Sequence, residues 1–132
     1  MAKYAYPAIF TPEANGAYSI VFPDIDGCYT CGDSLEDGIE MAEDALALVL
    51  YGYEKAGHAI PAPSDRNTIS LQANEFINYI ASDTMAYRKM YNNQSVKKTL
   101  TIPEWLNEAA SEAGVNFSQV LQEALMRKLN VG

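Results

Sequence analysis

The chain contains few of the residues on which metal and redox chemistry depend. Its 132 residues include one histidine and two cysteines, whereas a structural zinc site needs about four such ligands. Cys28 and Cys31 have the C-x-x-C spacing of a metal knuckle or a redox pair. They lie in a predicted strand, however, where residues three apart point to opposite faces. We therefore expect two reduced thiols, no bound metal and no cofactor.

The sequence also lacks a long apolar run. The longest, Ala45–Tyr53, is interrupted by Gly52 and falls well short of the roughly 18 residues that a membrane span requires. The N-terminal segment MAKYAYPAIF alternates around Pro7 and has no continuous apolar stretch of the kind found in signal sequences. These features predict a cytoplasmic protein with no membrane role.

Basic residues are scarce in the first part of the chain. Residues 1–96 carry 13 acids and 5 bases, whereas residues 97–132 carry 4 of each, which together account for the net charge of -8. An acidic segment repels nucleic acid and attracts basic protein partners. The charge pattern therefore indicates two modules with different partners.

The C-terminal part has the element order of a ribbon-helix-helix DNA-binding module. A β-rich run, Val96–Ile102, precedes Pro103, which is suited to open a helix. Gly114 can end that first helix in a left-handed conformation, and Asn116 can cap a second one. A segment of about 36 residues cannot bury its apolar face alone, so we expect a homodimer, with a tetramer as a further step. The strand would pack against both helices through apolar residues: Leu100, Ile102, Leu106, Ala109, Ala110, Val120, Leu121, Ala124 and Leu125.

In such a dimer the polar face of the ribbon would enter the DNA major groove. The predicted base-reading residues are Lys97, Thr99 and Thr101. The predicted phosphate contacts are Lys98 and the start of the second helix at Phe117 and Ser118. The alternative for the ribbon is a solvated edge strand that lysine protects from aggregation.

The first 91 residues predict a small α+β unit. The predicted strands are Tyr4–Phe10, Gly16–Phe22, Cys28–Cys31 and Phe76–Ala81, the first three as an antiparallel meander. Between the last two strands, a helix begins at a cap on Asp33 or Ser34, partnered by Glu36 or Asp37, and ends at Gly57. Its apolar residues recur at steps of three and four, so it packs on the sheet. A short helix or irregular link is expected at Thr84–Tyr91.

Four segments make the chain resemble the HicB antitoxin family of type II toxin-antitoxin systems. They are Tyr4–Phe10, Phe22–Cys28, Gly32–Glu36 and Ile60–Ser64. The resemblance implies an N-terminal domain like a truncated ribonuclease H fold without its nuclease site. It also implies a non-enzymatic protein that binds and blocks a HicA-type ribonuclease toxin. Some members carry a C-terminal ribbon-helix-helix, which the segment Lys98–Pro103 resembles.

The resemblance predicts a toxin-binding domain at residues 1–91, a polar linker at 92–95 and a DNA-binding and dimerisation domain at 96–132. As an autoregulated antitoxin, the protein would also repress its own operon by binding operator DNA. Four acidic residues are expected to meet the basic face of the toxin: Asp24, Asp26, Glu36 and Glu40. The alternative is that these acids only form a soluble surface.

Two other functions compete with an antitoxin. A metal-dependent, ribonuclease H-like nuclease would use a carboxylate cluster of Asp24, Asp26, Glu40 and Glu43. The helical spacing of Glu40 and Glu43 instead favours a solvated face, and His58 is explained equally well as a surface residue at a helix C-terminus. The second alternative is a ribbon-helix-helix regulator whose acidic N-terminal domain senses a small molecule.

Overall fold

A computed structural model describes residues 3–132. The chain divides into two units, which are called the N-terminal unit, ending at Gln94, and the C-terminal unit, beginning at Ser95. Each has its own secondary structure and is described by itself. Within the described residues, no helix combines the length and the apolar character that crossing a bilayer requires.

The N-terminal unit is built on a four-stranded antiparallel sheet. Its strands are β1 (Lys3–Pro12), β2 (Tyr18–Val21), β3 (Tyr29–Gly32) and β4 (Phe76–Asp83), in the order β3-β2-β1-β4. The predicted meander of three antiparallel strands is confirmed, and the later strand joins it beside β1. Phe10 opposes Ile20 across one side of β1, and Tyr6 opposes Ile80 across the other.

One long helix, α1 (Leu35–Ala56), packs against this sheet. It begins at Ser34, whose Oγ accepts a hydrogen bond from Asp37 N at 3.1 Å, while Asp33 N donates to Asp37 Oδ2 at 2.9 Å. Asp37 thus satisfies a backbone donor just before the helix, as a capping box does. At the other end Gly57 takes a left-handed φ of 70°, which glycine adopts without a Cβ clash. The predicted start and stop of this helix are confirmed.

The core lies between α1 and one face of the sheet. Alternate residues of β1 point into it, as the two-residue period of a strand requires. The buried residues that form this core cluster are Tyr6, Ala8, Phe10, Ile20, Phe22, Ile25, Cys28, Ala42, Leu46, Leu50 and Ile80. A Cβ built on Gly32 would lie 2.4 Å from the Cα of Gly38, so β3 and the first turns of α1 meet backbone to backbone.

Several element boundaries differ from those that the sequence predicts. β2 begins only at Tyr18, because Gly16 takes a φ of 87° in the turn that follows Asn15. β3 starts one residue late, which leaves Cys28 buried in the preceding turn and Cys31 exposed, both as free thiols. β4 extends to Asp83, whose carboxylate caps α2 (Thr84–Tyr91). A short 3-10 helix, unpredicted, covers Arg66–Thr68.

The C-terminal unit contains two helices, α3 (Glu104–Glu112) and α4 (Phe117–Leu129). Gly114 has the expected left-handed conformation between them, with a φ of 70°. The strand predicted at Val96–Ile102 is absent, since residues 92–103 form neither helix nor strand in this single chain. A strand needs a hydrogen-bonded neighbour, and no other part of the described chain supplies one. Pro103 stands at the cap of α3, one residue before the position predicted for it.

Candidate functional site

The predicted DNA-reading residues lie on the extended segment before α3. All four polar side chains are exposed, and none forms a hydrogen bond or ion pair with the part of the chain that the structure describes: Lys97, Lys98, Thr99 and Thr101. Threonine hydroxyls and lysine ammonium groups are suited to bond base edges and phosphates. The segment therefore presents its polar groups without competing partners in its own chain.

The N-terminus of α4 provides a second group of free donors. Asn116 caps it, with Oδ1 accepting from Gln119 N at 3.1 Å. The predicted cap and its residue at the third helical position are confirmed. The backbone N–H groups of Phe117 and Ser118 have no acceptor in the described chain. Such groups at the positive end of a helix dipole bind phosphate.

Apolar side chains of the C-terminal unit are exposed in the single chain. No residue of α3 or α4 is buried, and of the predicted interior residues only Ala110 and Leu121 are even half-buried. The large exposed ones are Val96, Leu100, Ile102, Trp105, Leu106, Val115, Phe117, Val120, Leu125, Met126 and Leu129. This is an unusually large apolar surface for about 38 residues. The unit therefore lacks a core that one chain could provide.

The four predicted toxin-binding acids occupy two different places. Asp24 is half-buried and accepts hydrogen bonds from the backbone N of Ser64, at 3.0 Å, and from its hydroxyl. It thereby fastens the β2–β3 loop to the segment that follows the C-terminal end of α1. Asp26 is exposed in the same loop, whereas Glu36 and Glu40 are exposed in the first two turns of α1. Asp24 is committed to its own chain, which leaves three free acids.

The residues of the nuclease alternative show no metal-binding arrangement. Across residues 3–132, no group of three histidine, cysteine or acidic side chains is placed to hold a metal ion. Glu40 and Glu43 are exposed on α1. His58 stacks on Tyr53 with ring centroids 4.3 Å apart, and its Nδ1 lies 2.7 Å from the carbonyl oxygen of Ala59. These contacts give His58 a local structural role.

For the small-molecule alternative, the sheet offers a shallow open depression over β2 and β3. Its lining includes Thr11, Ser19, Val21, Tyr29 and Cys31. No charged side chain lines it, and ligand sites that bury most of a small molecule are usually deep clefts. This depression has neither the depth nor the convergent polar groups of such a site.

A buried carboxylate that the sequence interpretation missed joins three elements of the N-terminal unit. Glu54, whose side chain is 12% exposed, accepts hydrogen bonds from the hydroxyls of Tyr4 at 2.7 Å and Thr84 at 2.9 Å. Arg88 Nη2 lies 2.8 Å from its other oxygen. The signal was present in the spacing, because Glu54 continues the buried series of Leu46 and Leu50 at steps of four. A charged residue within a series of buried helix positions predicts that its side chain has an ion-pair or hydrogen-bond partner.

The surroundings shift the pKa of two of these groups. Desolvation by burial raises the pKa of Glu54, but hydrogen bonds from Tyr4 and Thr84 and the charge of Arg88 outweigh it and hold that pKa below its usual range. Burial, with the hydrogen bond to Glu54, raises the pKa of the Tyr4 hydroxyl to about 12. Glu54 is therefore ionised and Tyr4 protonated at neutral pH.

Comparison with known proteins identifies the family. The family model described as "HicB_like antitoxin of bacterial toxin-antitoxin system" matches residues 6–124, which is most of both units. The chain belongs to this family. Among curated members of the HicB-like family, Antitoxin HicB 1 of Photorhabdus laumondii is 40% identical over 58 residues, covering 44% of this chain and 37% of the relative. Antitoxin HicB of Escherichia coli K12 is 35% identical over 63 residues, covering 48% and 46%. The chain thus spans less than half the length of these two relatives.

Solved structures resemble the HicB-like chain over a longer range. A chain of a toxin-antitoxin complex from Streptococcus pneumoniae is 28% identical and superposes with a TM-score of 0.63, covering 96% of this chain and 99% of that one. A chain of the HicA3 and HicB3 toxin-antitoxin complex is 24% identical with a TM-score of 0.50, covering 61% and 99%. The second likeness supports the fold alone.

Proposed function

We propose that this chain is an antitoxin that binds and neutralises a HicA-type ribonuclease toxin and represses its own operon. The N-terminal unit, as a truncated ribonuclease H-like domain, is the toxin-binding part. The C-terminal unit is a ribbon-helix-helix that binds operator DNA as a dimer. The family match over residues 6–124 supports the first role. In this proposal the protein is cytoplasmic, as the sequence predicts.

The exposed apolar surface of the C-terminal unit supports the second role. With no buried residue in α3 or α4, the unit needs another surface to complete a core. A second copy supplies it if residues 96–102 of two chains pair as antiparallel strands, since Leu100 and Ile102 then lie on the helix side. The same pairing gives the extended segment the hydrogen-bonded neighbour that a single chain lacks.

On the opposite face of this ribbon, Lys97, Thr99 and Thr101 of both chains read bases in the major groove. Lys98 and the free N–H groups of Phe117 and Ser118 bind the flanking phosphates. The C-terminal unit carries no net charge, so most of its affinity comes from doubling these contacts in the dimer. The proposed linker, residues 92–95, includes the boundary between the two units, which lies after Gln94.

Toxin binding within this proposal does not depend on enzymatic chemistry. The antitoxin acts by covering the RNA-binding surface of a basic toxin, and Asp26, Glu36 and Glu40 are the free acids available to it. Electrostatic attraction between a unit of charge -8 and a basic protein mainly accelerates association. We propose no catalytic residue.

Co-expression tests the proposal directly. The chain is expressed with the small basic protein encoded by the neighbouring gene, and growth and complex formation are measured. We expect relief of growth arrest and co-purification of the two proteins. Growth arrest that persists with both proteins present at equal levels contradicts the antitoxin role. A DNA-binding chain that fails this test but binds a small molecule would instead be a ligand-sensing regulator.

A further inference from the structure

Three tyrosines form a row of neighbouring rings where α2 packs against α1. Tyr51 of α1 lies 5.5 Å from Tyr87 of α2, measured between ring centroids, and Tyr87 lies 4.7 Å from Tyr91. These three residues are called the tyrosine row. Tyr51 and Tyr87 are half-buried and join the two helices, whereas Tyr91 is 64% exposed in the last turn of α2. Packing of α2 on α1 accounts for the first two rings but not for Tyr91.

The tyrosine row already holds one cation of its own chain. The guanidinium of Arg88 lies 5.3 Å from the ring centroid of Tyr51, while its Nη2 is 2.8 Å from a carboxylate oxygen of Glu54. The face of an aromatic ring attracts a cation, and the planar guanidinium stacks well on it. Tyr91 presents a further ring of this kind to solvent. An exposed ring with carboxylates on the same surface therefore suits an arginine or lysine of another protein.

The carboxylates lie on the side of α1 that also carries Tyr51. At steps of three and four, which keep residues on one side of a helix, this side consists of Glu36, Glu40, Glu43, Ala47, Tyr51 and Glu54. Its last two members contact α2, through Tyr87 and Arg88. Its first three members are exposed glutamates. One continuous side of α1 thus has an open acidic half beside the tyrosine row.

We propose that the tyrosine row and the acidic half of this side together dock a basic protein, with an arginine or lysine of that partner lying on the ring of Tyr91. The inference rests on the proposed function, in which the partner is the HicA-type toxin, and it assigns the contact to α1 and α2. Tyrosine is among the residues that contribute most to binding at protein interfaces. Glu36 and Glu40 are then the acids that attract the partner before the rings engage it.

Charge selects a basic protein over nucleic acid at this surface. Bases of single strands also stack on aromatic rings, but a nucleic acid would meet the acids of α1. That helix carries six acids and one base, Lys55 in its last turn. Lys89 of α2 lies two residues from both Tyr87 and Tyr91, and residues at that spacing do not share a helix side. The surface around the tyrosine row therefore favours a partner of positive charge.

The first test measures association and dissociation rates of the full chain with the small basic protein encoded by the neighbouring gene. Tyr91→Ala should raise the dissociation rate about tenfold or more, because the ring contact exists only in the complex. Tyr91→Phe keeps the ring and should dissociate nearly as slowly as the parent chain. Met90→Ala and Tyr29→Ala are matched controls, since these side chains are 72% and 73% exposed in the same helix turn and on β3. Equal dissociation rates of Tyr91→Ala and either control overturn the proposal.

The second test concerns the acidic half. Glu36→Gln with Glu40→Gln should slow association and weaken its dependence on ionic strength, while dissociation changes little. Glu108→Gln with Glu112→Gln is the matched control, because it makes the same change of charge at the same spacing on α3 of the C-terminal unit. If both double variants slow association equally, net charge alone attracts the partner and the assigned surface is wrong.

The same measurements separate this inference from the proposed function. A parent chain that does not bind the basic protein contradicts the antitoxin role, and the docking surface with it. A parent chain that binds, with a dissociation rate insensitive to Tyr91→Ala, contradicts the docking surface alone. If Tyr91→Ala instead weakens binding to the upstream DNA and leaves the basic protein bound as before, the tyrosine row stacks on nucleic acid and the proposal is wrong.

Discussion

Arg88 of α2 and Glu54 of α1 form an ion pair with 2.8 Å between Nη2 and Oε1. The same guanidinium lies over the ring of Tyr51, 5.3 Å from its centroid. Because Glu54 also accepts from Tyr4 of β1, a single carboxylate holds the strand and both helices together. Removing Glu54 from this partly buried network leaves the hydroxyls of Tyr4 and Thr84 and the guanidinium of Arg88 without its carboxylate, which costs more than losing a fully exposed ion pair.

Glu54→Gln should lower the free energy of unfolding at pH 7 by about 1–3 kcal/mol, because a neutral amide cannot satisfy Arg88 and two hydroxyl donors equally well. The measurement is urea unfolding followed by circular dichroism. Glu43→Gln, at an exposed position of the same helix, is the control and should change stability by less than about 0.5 kcal/mol. Equal stabilities of the two variants would mean that the network contributes nothing.

The free energy of unfolding should also depend on pH through the ionisation of Glu54. Its pKa is lower in the folded than in the unfolded chain, so the unfolded state binds a proton more readily. The carboxylate thus stabilises the fold above its unfolded pKa of about 4.3, and this contribution is lost as pH falls through the folded pKa. Unfolding measured between neutral and acidic pH should show a smaller loss for Glu54→Gln than for the parent chain. A parallel pH dependence of the two proteins would show that Glu54 does not cause it.

Gly32→Ala should destabilise the N-terminal unit by about 1–3 kcal/mol or more, since its Cβ would lie 2.4 Å from backbone atoms of Gly38. Gly52→Ala is the matched control, because a Cβ there meets nothing within 4 Å and the residue is helical. The control should stabilise by about 0.5–1 kcal/mol through helix propensity. Thermal unfolding of both variants decides this, and similar melting temperatures would contradict the close packing.

Leu100→Asp with Ile102→Asp should disrupt the C-terminal dimer and abolish binding to the upstream DNA of the gene. Each aspartate would place a charge in the proposed interface between the C-terminal units of two chains. Mobility shift gives the DNA affinity, and fluorescence exchange between differently labelled chains reports the ribbon dimer. Leu71→Asp, an exposed leucine of the N-terminal unit at 42%, should leave both unchanged. DNA binding by the doubly substituted chain at parent affinity would exclude the ribbon dimer.

Thr99→Ala with Thr101→Ala should reduce the preference for operator over unrelated DNA by about 1–3 kcal/mol for each threonine that bonds a base edge. Lys98→Ala should instead weaken binding to all sequences and reduce the salt dependence by about one counterion. The two variants are compared by competition binding at several salt concentrations. If the double threonine variant, like Lys98→Ala, lowers affinity for all DNA sequences without changing selectivity, the threonines do not read bases.

The predictable part of the fold follows from local pattern. Ser34, Asp37 and Gly57 mark the ends of α1 because capping depends on residues only a few positions apart. Asn116 and Gly114 mark the turn between α3 and α4 for the same reason. The strand at Val96–Ile102 differs, because a strand depends on a neighbour that local sequence does not contain.

The candidate sites likewise include one that local sequence predicts and one that depends on tertiary contacts. The alternation of Lys97, Thr99 and Thr101 is a property of neighbouring residues, and it predicts a shared polar face without reference to the rest of the chain. The difference between Asp24, which is engaged, and the exposed Glu36 and Glu40 could not be predicted, because the partner of Asp24 is distant in the sequence and meets it only through packing. Asp24 bonds Ser64, 40 positions away, and is thereby withheld from a partner protein.

The sequence by itself determined the order of the four strands and α1, the ends of α1 and the turn between α3 and α4. These follow from steric and hydrogen-bonding preferences over a few residues. Only the tertiary structure decided that β4 lies beside β1, that Gly32 meets Gly38, and that Glu54 is held by partners from β1 and α2. These contacts join residues far apart in the chain, and close packing of the whole unit selects them.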